Sequence, residues 1–139
     1  MKRLFGLFIA TLVIWSCANQ GYRFEQLDGS KLLPLQFQGF YGVRDGAAVT
    51  AEGRFMDGND SVTMDIAVYL RPPAEFQSGN YRATLGGKTI SGGVDCPSLV
   101  FQGGQTALPS MGGVFILKGE NNQPLYRVTI PATQLNNRR

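Results

Sequence analysis

Apolar and polar side chains alternate with a period of two through most of the chain. In residues 33–43, Leu33, Leu35, Phe37, Tyr41 and Val43 fall on one face and Gln36 and Gln38 on the other. In residues 48–56, Val49, Ala51 and Phe55 oppose Thr50, Glu52 and Arg54. Residues 61–71 give the cleanest case, with Val62, Met64, Ile66, Val68 and Leu70 in line before Pro72 and Pro73 close the run. Tyr81, Ala83 and Leu85 share a face, and residues 98–102, 114–118 and 124–130 are further apolar runs, the last closed by Pro131. A period of two is the mark of strands, whose successive side chains point to opposite faces. Between the runs stand turn signals: "RDGA", "DGND", Gly86-Gly87 and "GENNQ". Glycine and the Asx residues supply the backbone conformations that tight hairpin turns require.

About eight short strands at this spacing predict an all-β fold, an antiparallel two-layer β-sandwich with a small β-barrel as the alternative. Composition agrees. The chain has 139 residues, room for one domain, with 18 glycines and only 17% charged residues. A long helix or a disordered chain would carry more charge. No helical period follows the first 17 residues. The Gly-Gly pairs at 86–87, 92–93, 103–104 and 112–113 are irregularly spaced, which marks turns, bulges or bends rather than a repeat. "GGQTALPSMGG" predicts a loop longer than a hairpin connection needs.

Residues 1–17, "MKRLFGLFIATLVIWSC", differ in kind from the rest. Lys2 and Arg3 precede an apolar stretch from Leu4 to Trp15, the layout of a secretory signal peptide and too short to span a bilayer. Ile14, Trp15, Ser16 and Cys17 resemble the signal of bacterial lipoproteins, whose box runs aliphatic, variable, small, cysteine. That resemblance covers the leader alone. It implies cleavage before Cys17, a diacylglyceryl thioether and an amide-linked acyl chain on that residue, and a domain held on a membrane. Ala18 is not the aspartate that such signals use for inner-membrane retention, which implies the outer membrane facing the periplasm. Ordinary cleavage after Ala18, at a small-x-small site formed with Ser16, is the alternative. The expected organisation is a signal peptide over 1–16, an acylated Cys17 with a short tether to 31, a β-domain over 32–133 and a polar tail over 134–139.

The net charge of +3 invites a nucleic-acid reading that the distribution removes. Lys2 and Arg3 lie in the leader and Arg138 and Arg139 at the end, while the other arginines are dispersed among carboxylates. No basic patch tracks a phosphate backbone. Histidine is absent, so a Ser-His-Asp or Cys-His centre is impossible and the commonest metal ligand is missing. "GGKT" at 86–89 has Arg82 where a phosphate loop needs glycine. "DGND" is read as a hairpin turn rather than a calcium site. Asp45, Glu52, Asp57, Asp60, Asp65 and Glu75 show no spacing that pairs them for hydrolysis. No cofactor, metal or catalytic residue is expected.

With Cys17 acylated or discarded, Cys96 is left without a partner and is read as a buried small hydrophobe at the start of a strand. Phe40 and Tyr69 fall on the faces otherwise carrying Gln36, Gln38, Thr63 and Asp65. They are candidate partner contacts, with cover by other parts of the fold as the plainer reading. The expected function is a membrane-anchored, non-catalytic binding or scaffold module of the bacterial envelope, engaging an envelope protein through sheet edges or the 103–113 loop. The alternative is a small barrel that binds or carries an apolar ligand or lipid.

Overall fold

The computed structural model describes residues 21–70, 73–103 and 108–137. Cys17 and the expected signal peptide lie outside the described residues. The chain forms ten strands: β1 (Arg23–Gln26), β2 (Lys31–Leu32), β3 (Gln36–Asp45), β4 (Ala48–Asp57), β5 (Asp60–Tyr69), β6 (Glu75–Leu85), β7 (Lys88–Gln102), β8 (Ser110–Lys118), β9 (Pro124–Gln134) and β10 (Asn136–Asn137). One 3₁₀ turn, Glu120–Asn122, joins β8 to β9. The fold is all-β, as expected. The strands form one mixed sheet in the order β10-β3-β4-β5-β6-β7-β8-β9-β1-β2, curled into a half-barrel. The barrel alternative describes this arrangement better than two stacked layers do.

Three hairpins follow the turn signals. The connections β3–β4, β4–β5 and β6–β7 each take two residues, with Gly46, Gly58 and Gly86 at φ near +60°. Glycine has no Cβ to oppose that conformation. The N–H of Gly86 also donates to Asp60 Oδ1 at 3.0 Å, tying two of these turns together.

Elsewhere the strands run on where the sequence predicts breaks. Residues 88–93 pair with β6 and residues 94–102 with β8, so β7 is one long strand that passes from one half of the sheet to the other. Gly92 sits at the crossing, where a Cβ would meet the carbonyl oxygen of Lys118 at 1.9 Å. Only glycine lets the two backbones approach this closely. Cys96 and Pro97 occupy a bulge within β7 rather than a strand start. Pro131 does not end β9, which continues through another bulge to Gln134. Proline cannot donate to a ladder, and a bulge is where that donor is not required.

Strands also extend beyond the expected domain limits. In the span expected as a tether, β1 pairs with β9 along residues 23–26 and buries Phe24. In the span expected as a polar tail, Leu135 is buried and β10 pairs in parallel with Tyr41 and Gly42 of β3. Leu135 alone separates β9 from β10, so one continuous segment links the β10 edge of the sheet to β9, two strands in from the other edge.

Side chains fill the concave interior. Phe24, Phe40, Phe55, Phe115, Met64, Met111 and Tyr81 are all buried. Phe24 packs edge-on against Phe55 at 5.3 Å between ring centroids, and Phe37 packs against both Phe40 and Phe55. Offset and edge-to-face contacts of this kind suit the ring quadrupole.

Candidate functional site

The register of β3 to β7 arranges the outer face in rows that cross the strands. The turn at Gly58–Asn59 sets β4 against β5, so Glu52 stands opposite Asp65 and Arg54 opposite Thr63. Pairing of β5 with β6 then sets Asn80 beside Asp65 and Arg82 beside Thr63, and Ser91 of β7 lies opposite Arg82. One row therefore reads Tyr41, Glu52, Asp65, Asn80, and the next Arg54, Thr63, Arg82, Ser91.

These rows form a lattice of alternating charge. Arg54 pairs with Glu52 and stacks over the Tyr41 ring, 4.5 Å from its centroid. The opposed carboxylates of Glu52 and Asp65 are a like-charge pair that alone would cost roughly 0.2–1 kcal/mol. The neighbouring row of arginines offsets this. This pairing was missed in the sequence, although the two-residue turn that sets it was recognised.

Between the rows lies a depression of about 590 Å³ lined by Thr63, Asp65, Asn80, Tyr81, Arg82, Ser91 and Gly92. A second, of about 240 Å³, adjoins it through Asp65 and Asn80 and takes in Thr50, Ala67 and Ser78. The hollow forms because the residues around Asp65 and Asn80 are small, and because Asn80 faces Gly93, which has no side chain. The lining offers one carboxylate, one guanidinium, one primary amide and hydroxyl groups. Such a surface can donate to and accept from a polar partner. Glu52 is engaged by Arg54 and lines neither hollow, so of the opposed carboxylates only Asp65 reaches them.

The two predicted contact residues separate. Phe40 is fully buried, 0% exposed, and so offers no surface to a partner, contrary to expectation. The cause is a bulge in β3 between Phe37 and Gly39, where Gly39 takes φ +120°. One extra residue reverses the facing of everything after it. Phe40 and Gly42 turn inward, and Val43, expected inside, is 47% exposed. Tyr69 stays on the outer face, half-buried, opposite Ala48 and Glu75 at the far end of the same lattice.

Cys96 is half-buried and packs against the core. Its thiol donates to the Ser98 carbonyl at 3.2 Å, and burial pushes its pKa from 9.0 up to about 11. A thiol so held is protonated at neutral pH and a poor nucleophile. On the half of the sheet away from the polar lattice, Arg127 donates to Glu25 at 3.2 Å and holds that carboxyl below its ordinary value. Tyr81 has a buried hydroxyl without a hydrogen-bond partner among the described residues, and burial raises its pKa.

Among the described residues no group of three or more acidic or cysteine side chains is placed to hold a metal ion. No helix among them is long and apolar enough to cross a membrane. Compared with known proteins, the chain matches no family model, no curated protein and no solved structure.

Proposed function

We infer that this protein is a lipid-anchored, non-catalytic binding module of the bacterial cell envelope, with the outer face of β4–β7 as its recognition surface. The observation that carries this reading is the paired polar hollow around Asp65 and Asn80. It is the outer side of a half-barrel whose interior is occupied by aromatic and aliphatic side chains. The filled interior favours recognition on the outside over carriage of an apolar ligand within. The mixed donors and acceptors suit a polar segment of an envelope protein, bound by hydrogen bonds and one ion pair to Arg82 or Asp65. The anchor rests on the sequence alone, on Ile14, Trp15, Ser16 and Cys17. Two or more acyl chains would hold the domain stably where one would not.

The test is in-cell crosslinking from a photoreactive residue at Ser91, followed by purification. A single envelope protein recovered reproducibly, and lost when Arg82→Glu is added, supports the reading. Recovery of lipid alone, or of the same protein with Arg82→Glu unaffected, overturns the assignment of this face. The anchor is tested separately by intact mass and by Cys17→Ala. A mature chain without acyl groups, or a Cys17→Ala protein that stays on the membrane, ends that part of the reading.

A further inference from the structure

We propose that the corner of the half-barrel around Gly21, Gln36, Pro131 and Ala132 faces the lipid headgroups at close range, as a membrane-apposed surface set by tether length. The proposal rests on acylation at Cys17. The expected tether ran to residue 31, long enough to let the domain wander from the bilayer. The structure shortens it. The fold already holds the chain at Tyr22, whose hydroxyl donates to Gln36 Oε1 at 2.6 Å and whose ring packs 5.9 Å from that of Phe37. β1 begins at the next residue and is paired along its length with β9. Gly21 lies against the Pro131 ring, to which a Cβ would come within 3.2 Å.

Only Ala18, Asn19 and Gln20 then separate the acylated residue from the folded domain. Four peptide steps span at most about 14 Å even when fully extended. The Gly21 backbone therefore stays within that distance of the Cys17 backbone in every orientation the domain adopts. A described domain of this size is about 35 Å across. Its partner is accordingly one that comes within about 50 Å of the anchor, the reach of the tether and the width of the domain together.

The chemistry of the corner fits a role set by reach rather than by charge. Gly21, Gln36, Gln38, Pro131, Ala132 and Gln134 are exposed and uncharged. Arg23, two residues from Gly21, lies 4.0 Å from the Glu25 carboxylate, which also receives Arg127. Among the described residues of this corner no basic cluster would draw the domain to anionic lipid. Apposition is thus independent of ionic strength.

The experiment uses the full acylated chain, purified from membranes with Cys96→Ser, in vesicles containing a headgroup-chelated paramagnetic metal. A spin label is placed at Ala132→Cys. Strong relaxation by the metal, unchanged between low salt and 1 M salt, is the expected result. A Gly/Ser insert of twenty residues between Gln20 and Gly21 would allow an average reach of roughly 25 Å, and should reduce the relaxation several-fold. If mass confirms the acyl chains yet the label shows no relaxation, the proposal falls while the anchor stands. If the insert leaves relaxation unchanged, or salt removes it, the contact is made by the domain's own surface and the tether argument falls. A chain that carries no acyl groups overturns the anchor itself, and this proposal with it.

Discussion

Gly39 decides where Phe40 goes. Its φ of +120° places one extra residue in β3, and the side chains beyond it exchange faces. Phe40 consequently belongs to the core and Tyr69 to the outer lattice. Phe40→Ala should cost about 3–5 kcal/mol of stability, the usual loss for a buried aromatic ring. Tyr69→Ala, at a half-exposed site, should cost at most about 1 kcal/mol. Urea denaturation of both variants checks this. Equal losses would show that the bulge is misplaced.

Cys96 gives a second residue-scale prediction. Its thiol is raised to about 11 in the folded chain from 9.0. Alkylation should therefore be slow at neutral pH and quicken about tenfold per pH unit up to about 11. Folding disfavours the thiolate, so the unfolded chain loses its proton first. The stabilising contribution is complete below pH 9 and is lost as pH rises from 9 towards 11. Urea midpoints of the native chain and Cys96→Ser, compared across that window, should converge or cross in the direction that penalises the thiol. A gap independent of pH would refute the shift.

At the scale of elements, hairpins and bulges behaved differently as signals. The turns at Gly46, Gly58 and Gly86-Gly87 were legible because glycine beside Asp, Asn or a second glycine has a local reason to be there. They carry register with them, which is why Glu52 and Asp65 could have been paired from sequence. The bulges at Gly39, at Cys96-Pro97 and at Pro131 were not legible. A proline in a strand pattern reads as a stop, and only the neighbouring strand shows that its missing donor is not needed. β1 was hidden for another reason. "RFEQ" alternates properly, but four residues are too few to stand out beside an expected signal peptide and tether. β10 offers no pattern at all, being two asparagines placed by what precedes them. Leu135 does the placing, buried between β9 and β10, its N–H donating to the Pro109 carbonyl at 3.1 Å. Leu135→Ala should cost about 2–5 kcal/mol, and should raise amide exchange at Tyr41 and Gly42, the β3 residues that β10 pairs. Unchanged exchange there would mean that β10 does not hold the sheet ends together.

At the scale of the molecule, the sequence alone determined an all-β domain, its hairpins and most of its core. The same was true of Val62, Met64, Ile66 and Val68, which line the interior as their alternation predicts. Alternation and turn chemistry are local, and local interactions are written in consecutive residues. Tertiary structure decided what depends on distant pairing. β1 finds β9 about a hundred residues away, and β10 returns to β3, so the strands curl into a half-barrel instead of stacking as two layers. Closure of that kind is governed by shear and bulge positions summed around the sheet, which no single stretch encodes. The same closure brought Thr63, Asp65, Asn80, Arg82 and Ser91 to one hollow and drew Tyr22 into the fold beside Gln36. Cys17 could be read as an anchor from its neighbours in the chain. On that reading, the length left for a tether depends on where the fold begins, which only the pairing of β1 with β9 decided.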